Sequence, residues 1–455
     1  MTSTDGPALR RTLRSRHLTM IALGGTVGAG LFVGSGSVIA ATGPAVVLSY
    51  AAGGAVVVLV MRMLAEMAVA HPSTGSFVDH ARQAVGPGAG YAVGWLYWWG
   101  WVVALAFEAV AGAAVLHAWL PAVPLGGWAL GLLALVVAGN LVSVRAFGES
   151  ESWLAAVKVA AIVAFLAVGV LAVLGLLPGR SGGLPGLAGA ELVPAGWLAV
   201  LSALVAVLFT YGGTEIVAIA AGEVADPGRA LVRATRQVVG RIVLFYVGSI
   251  ALIVALVPWS ELPPDRSPFA VVLERLGVPG AATAIDVLVL VALLSAMNSA
   301  VYVCSRTLFA LADAGDARPA LAAVDARGVP RRAVLTCAGV AAAATALAFV
   351  SPDGVFLVLL GTAGAISLPV YALVAVAQIR LRRRREAAGE PDPAVRMWLF
   401  PHLSRAVVVL VAAIAASMAV LPDFQLQLVL TGAVLAGLWG AHRLRGRRAA
   451  APTAG

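Results

Sequence analysis

Two stretches of this chain place glycines and hydroxyls where an apolar helix should run unbroken. The first reads Ile21-Ala22-Leu23-Gly24-Gly25-Thr26-Val27-Gly28-Ala29-Gly30-Leu31-Phe32-Val33-Gly34-Ser35-Gly36, with six glycines. The second reads Phe209-Thr210-Tyr211-Gly212-Gly213-Thr214-Glu215-Ile216. Glycine weakens a helix interior and permits unusual backbone angles. Two readings compete. Small residues can let helices pack closely, and Gly24/Gly28 and Gly30/Gly34 have that spacing. Alternatively, each stretch is an unwound midpoint whose freed N–H and C=O groups hold a ligand, an arrangement tolerated at membrane depth only where the backbone lines a cavity. Paired interruptions at corresponding places in two halves of a chain point to a transporter's substrate site.

The chemistry of two open helix midpoints is specific. N-terminal ends offer N–H groups that suit a carboxylate, and C-terminal ends offer carbonyls that suit an ammonium. A zwitterionic amino acid carries both. Its carboxylate is expected against the backbone N–H groups of Val27, Gly28, Ala29 and Gly30. Its ammonium is expected near the carbonyls of Ala22, Leu23, Thr26, Phe209 and Thr210. Phe209 and Tyr211 are candidates for shaping the pocket, and Gly213 belongs to the second break.

Ionisable groups inside apolar walls are expensive and mark function by default. Lys158 is the only lysine in the chain and lies within Val157-Lys158-Val159. A lysine amine exchanges its proton readily when desolvated, so its ammonium can stand in for a coupling cation and couple transport to a proton gradient. Snorkelling to the interface is the competing reading. Glu108 and Glu215 are candidates for proton relay, with structural pairing as the alternative. Ser295 and Asn298, with Asp286 and Ser299, form a polar stripe expected to face a cavity. Arg62 and Glu66, four residues apart, suit a cytoplasmic-side structural or gating pair. A sodium site needs several oxygen ligands, and a nearby ammonium repels that ion, so protons are the preferred coupling partner.

Composition sets the environment. Of 455 residues, 61% are hydrophobic and 12% charged, and the mean hydropathy is +0.95. Soluble domains carry about 25% charged residues. This excludes disorder, a nucleic-acid-binding surface and an ordinary cytosolic enzyme. The net charge of +9 would suit anionic partners if it were spread over a surface, but most basic residues fall in short breaks between apolar runs. Cys304 and Cys337 suggest neither a disulfide scaffold nor a metal site. The histidines are scattered. The first glycine stretch follows no strand, so it is no dinucleotide loop. No metal or cofactor is expected.

A bilayer-spanning helix takes roughly 20 apolar residues. Twelve segments qualify, near 18–40, 44–69, 88–119, 124–143, 152–177, 196–220, 238–258, 281–312, 332–350, 353–378, 403–421 and 423–442. With twelve crossings, one side collects 27 basic residues and the other only Arg180, Arg266 and Arg275. The positive-inside rule then puts both termini in the cytoplasm. The implied organisation is a tail (1–17), a first five-helix repeat (18–177), a second (196–378), a basic cytoplasmic loop (379–402), two accessory helices (403–442) and a closing tail (443–455). Oligomeric state is unreadable, because exposed apolar surface here faces lipid.

The chain resembles the bacterial amino acid permeases of the amino acid–polyamine–organocation superfamily over roughly residues 12 to 440. The likeness rests on the Ile21–Gly36 stretch, with Ala29 where Thr is common. It rests also on Met61-Arg62-Met63-Leu64-Ala65-Glu66-Met67 followed by Pro72, Gly75, Ser76 and Phe77, and on Gly94-Trp95-Leu96-Tyr97-Trp98. Phe147-Gly148-Glu149-Ser150-Glu151-Ser152-Trp153 precedes the lysine, with Ser152 where an aromatic is usual. Phe209–Glu215, Ala220-Ala221-Gly222-Glu223, Phe245-Tyr246-Val247-Gly248-Ser249, Asn298-Ser299 and Ser305-Arg306 complete it. The resemblance implies an all-α polytopic membrane protein of the bacterial inner membrane, with a five-plus-five inverted-repeat core and discontinuous helices 1 and 6. It also implies proton-coupled amino acid import, with Lys158 in place of a sodium ion. An exchanger using the same site, or a transport-dead sensor or channel-like protein, are the alternatives. Side-chain specificity stays open, with a preference for neutral substrates, GABA-like or aromatic.

Overall fold

A computed structural model describes residues 20, 27–70, 77–178, 182–216, 235, 237–263, 266–350 and 352–450. Every regular element among them is helical. Nine helices among the described residues are long and apolar enough to cross a bilayer.

The first span is discontinuous. Val27 and Gly28 are not helical, α1 (Ala29–Phe32) is a single turn, and Val33 separates it from α2 (Gly34–Thr42). Hydroxyls satisfy the carbonyls at this break. Ser35 Oγ donates to Leu31 O at 2.6 Å, and Ser267 Oγ donates to Phe32 O at 2.6 Å. A backbone opened inside the membrane needs such partners. A short turn through Pro44 leads into α3 (Val46–Ala70).

The amphipathic α4 (Phe77–Val85) buries Phe77, Val78, Ala81 and Ala84 on one face. Then α5 (Pro87–Trp119) starts with proline in its first turn, where the missing N–H costs nothing. The next helix, α6 (Leu125–Val142), meets α7 (Val144–Val173) at Ser143, whose Oγ accepts from Ala146 N at 3.0 Å as an N-cap. That cap starts α7 well ahead of the expected residue 152 and draws Glu149–Glu151 into the helix. The sixth span is α8 (Gly196–Ser202) and α9 (Leu204–Thr210), followed by a turn over residues 211–215. A π-helical stretch over 242–248 runs into α10 (Ser249–Leu256).

The second half continues with α11 (Pro268–Arg275), α12 (Ala281–Asp313), α13 (Arg331–Val350), α14 (Pro352–Ala387), α15 (His402–Val420) and α16 (Pro422–Ala450). The two 33-residue helices, α5 and α12, pack along each other at the centre. Around them, α4, α6, α13, α14 and α16 pack against α5, and α6, α7, α11 and α13 against α12.

Residues 379–387, expected in a loop, prolong α14. Arginine is a good helix former, and Arg382 pairs with Glu386 one turn on at 2.9 Å. The chain then folds back onto the end of α3. Glu66 Oε2 accepts from Gln378 Nε2 at 3.1 Å and from Met397 N at 2.5 Å. Arg62 Nε donates to Arg396 O at 2.7 Å, and its guanidinium lies 3.9 Å from the Trp398 ring centroid. Arg62 and Glu66 thus both anchor the 396–398 segment.

Candidate substrate site

The two interrupted spans touch through their backbones. A Cβ placed on Gly30 would lie 2.9 Å from Thr210 Cγ2 and 3.1 Å from Thr210 Cα, so no side chain fits where α1 crosses α9. On Gly28 a Cβ would lie 3.3 Å from Glu108 Oε1 and 3.4 Å from Ala296 Cβ. The turn after α9 is held by Gly212 N donating to Phe209 O at 2.9 Å and Thr214 N to Tyr211 O at 3.3 Å. It requires a left-handed residue at Gly213, whose φ is 91°.

Beside this crossing is a cavity of about 80 Å³. At about 10–15 Å³ per water, it has room for several waters or a small amino acid. The broken spans contribute Gly28, Gly30, Phe209, Thr210, Gly212 and Glu215. One face of α5 contributes Tyr97, Gly100, Trp101, Ala104 and Glu108, spaced by three and four residues as a helix face requires. Ala296 of α12 and Ile366, Ser367, Val370 and Tyr371 of α14 complete the wall. The Phe209 ring packs edge-on against Phe107, centroids 5.7 Å apart.

Two carboxylates face this apolar space. Tyr97 Oη donates to Glu215 Oε1 at 3.2 Å. The second oxygen of Glu215, and Oε2 of Glu108, are buried with no hydrogen-bond partner among the described residues. An unpaired carboxylate oxygen at this depth is costly unless a proton or a cation meets it.

Lys158 stands behind Glu108, within its electrostatic reach. Its Nζ donates to Ser295 Oγ at 2.7 Å, and Ser295 Oγ donates to Glu151 Oε1. Asn298 Nδ2 donates to Glu151 Oε2 at 3.1 Å, and Asn140 Nδ2 donates to Asn298 Oδ1 at 2.9 Å. Lys158, Glu151 and Ser295 are fully buried, so Lys158 does not snorkel to the surface.

Several sequence candidates come together here. Gly28, Gly30, Phe209, Thr210, Glu108 and Glu215 share the cavity wall. Val27 is buried beside them, and Ala29 opens α1. Ala22, Leu23 and Thr26 lie outside the described residues. Tyr211 turns elsewhere. Its hydroxyl donates to Tyr50 O at 2.9 Å, and its ring packs against Tyr50 and Tyr246. Ser295 and Asn298, expected to line the cavity, bond instead to Lys158 and Glu151 behind it. The contributions of Tyr97 and of α14 are not legible in the sequence. The one local signal for α14 is Pro369 inside the helix, beside Ser367, Val370 and Tyr371.

The amino acid permease family model matches residues 17–451. The chain belongs to the amino acid permease family. It is 43% identical over 428 residues to the gamma-aminobutyric acid permease of Bacillus subtilis, covering 94% of this chain and 91% of that one. It is 44% identical over 440 residues to the probable GABA permease of Pseudomonas aeruginosa, covering 95% and 92%. It is 39% identical over 414 residues to an aromatic amino acid transport protein of Corynebacterium glutamicum, covering 89% of each. Among solved structures, a mutant of the manganese transporter of Eremococcus coleocola superposes with a TM-score of 0.57 at 14% identity, covering 94% of this chain and 92% of that one. That likeness shows the fold alone. As a member of the amino acid permease family, this polytopic membrane protein is a secondary transporter of amino acids and not an enzyme.

Proposed function

We propose that this permease imports short ω-amino acids such as γ-aminobutyrate, drawn in with protons that bind and leave through Glu108 and Lys158. The observation that carries the reading is the pair of carboxylate oxygens, on Glu108 and Glu215, that have no hydrogen-bond partner among the described residues, in the cavity where the two broken spans meet. They suit the substrate ammonium and a proton together. The substrate carboxylate would meet the backbone at Gly28 and Gly30, where no side chain blocks the N–H groups. A γ-amino acid separates its charged ends by a short apolar linker, which suits the apolar wall of Trp101, Phe209 and Ile366. The names of the two GABA permeases, 43% and 44% identical, support that choice of substrate. Lys158 holds the Ser295 hydroxyl at 2.7 Å, which takes up an oxygen that a sodium ion would need and favours proton coupling.

The same reading sets the architecture. Twelve crossings form two five-helix units of opposite sense, interrupted at their first helices, with α15 and α16 accessory. The equal length and central packing of α5 and α12, third in each unit, support it. Both termini face the cytoplasm of a bacterial cell. The test is uptake of labelled γ-aminobutyrate into proteoliposomes with no internal amino acid, neutral inside and acidified outside. Accumulation that follows the pH step is expected. Uptake that appears only when the lumen is preloaded with amino acid would identify an exchanger and sink proton coupling. Displacement by aromatic amino acids but not by γ-aminobutyrate would sink the substrate class.

A further inference from the structure

We propose that Glu151 is the inward-side proton acceptor of this transporter, taking the proton of Lys158 through the hydroxyl of Ser295; this rests on the proton-coupled reading above. Glu151 and Lys158 are seven residues apart on one face of α7, two turns or roughly 10 Å along the axis. Their side chains reach towards each other and meet at Ser295 of α12, whose hydroxyl stands between them. It accepts from Lys158 Nζ at 2.7 Å and donates to Glu151 Oε1. A hydroxyl placed between a donor and an acceptor can pass a proton in one concerted move. A proton leaves Lys158 Nζ for Ser295 Oγ while the proton already on Ser295 goes to Glu151 Oε1. The ammonium becomes a neutral amine, the carboxylate becomes a neutral acid, and the serine is unchanged.

The surrounding amides hold Glu151 as an acceptor. Asn140 Nδ2 donates to Asn298 Oδ1 at 2.9 Å and to Val136 O at 3.0 Å. This orients the Asn298 amide so that its Nδ2 donates to Glu151 Oε2 at 3.1 Å. Asn298 Nδ2 also lies 3.5 Å from Ser150 Oγ, near the start of α7. Among the described residues, Glu151, Glu108 and Arg241 are charged groups that act on Lys158. Glu108 faces the substrate cavity, while Glu151 lies two turns closer to the Ser143 end of α7. The lysine therefore stands between a carboxylate on the substrate side and one on the far side, which gives proton movement a direction. Water entering from the cytoplasm when the site opens inward would take the proton from Glu151.

The test separates net proton movement from substrate movement. Glu151→Gln, Ser295→Ala and Ser295→Thr are reconstituted beside the unmodified protein. Each is assayed for accumulation of γ-aminobutyrate driven by an imposed pH gradient, and for counterflow exchange at uniform pH. E151Q and S295A are expected to lose about tenfold or more of the driven accumulation while counterflow stays near the unmodified level, and S295T, which keeps the hydroxyl, is expected to retain both. Undiminished driven accumulation in E151Q overturns the relay. So does an equal loss of both activities in E151Q and S295A, which marks a structural role. If E151Q does not fold, the contrast between S295A and S295T decides. Should the unmodified protein itself show counterflow but no driven accumulation, the proton-coupled reading fails first, and the relay with it.

Discussion

Gly30→Ala isolates the contact on which the site is built. The added methyl would sit 2.9 Å from Thr210 Cγ2, 3.2 Å from Thr210 Cβ and 3.1 Å from Thr210 Cα. Ordinary carbon contacts lie near 3.5–4.0 Å. The methyl group of Thr210 could rotate away, but its Cα could not, so α9 must retreat from α1 by several tenths of an ångström. Overpacking of this kind costs about 1–3 kcal/mol, which is about 5- to 150-fold in an equilibrium. The cost falls on the cavity, because Gly30 and Thr210 both line it. Initial uptake of labelled γ-aminobutyrate in proteoliposomes is therefore expected to fall within that range at equal protein content. Trimming the threonine's γ atoms with Gly30→Ala/Thr210→Ala should recover only part of it, since Cβ and the backbone Cα remain. Gly139→Ala is the matched control. Its Cβ would meet nothing within 4 Å, and alanine favours a helix by roughly 0.5–1 kcal/mol, so uptake should be unchanged. If Gly30→Ala transported as well as Gly139→Ala, the backbone contact between the two spans would not exist as described.

Other substitutions probe single parts of the site. Lys158→Ala should abolish uptake driven by a pH gradient while leaving γ-aminobutyrate binding, read as a thermal shift of the purified protein, changed by no more than about threefold; pH-driven uptake at the normal rate would remove Lys158 from the coupling path. Tyr97→Phe deletes the donor that steadies Glu215 and should raise the apparent KM about 2- to 10-fold, as expected for one hydrogen bond of about 0.5–1.5 kcal/mol; Glu215→Gln should raise it further, and an unchanged KM in both would place the substrate ammonium elsewhere. Glu66→Ala leaves Met397 N–H and the Gln378 amide N–H without this acceptor and removes the carboxylate 3.7 Å from Arg382, a loss of about 1–3 kcal/mol. It should lower the melting temperature in detergent, and an unshifted melting curve would mean that the folded-back segment adds no stability.

What can be read from the chain follows from what each signal reports. Six glycines in sixteen residues of an apolar run report a backbone that is opened or closely packed, and Gly30 is both, beside the break and against Thr210. The breaks at Val27–Val33 and Tyr211–Glu215 are accordingly visible, and so are the carboxylates Glu108 and Glu215. The direction of a side chain leaving a broken helix is a different matter, because it depends on the neighbours the break admits. The sequence makes Tyr211 a candidate for shaping the pocket, yet its hydroxyl donates to Tyr50 O. Hydropathy also stops where charge begins, but a helix need not. Glu151 reads as part of a loop before the fifth span, yet it lies inside α7, buried and met by Ser295 and Asn298. The arginines after Gln378 likewise prolong α14. The wall from Ser367 to Tyr371 carries no composition signal beyond Pro369, so only the packed helices bring it to the site.

The most direct measurement of where the substrate sits is the reactivity of a cysteine placed at Ala104, on the α5 face of the cavity. Cys304 and Cys337 are buried and give a low background. Alkylation of Ala104→Cys by a small thiol reagent should slow as γ-aminobutyrate is added, with half-protection at the concentration that half-saturates uptake in the same preparation. Alkylation that proceeds at one rate from zero to saturating substrate would put the transported molecule outside this cavity.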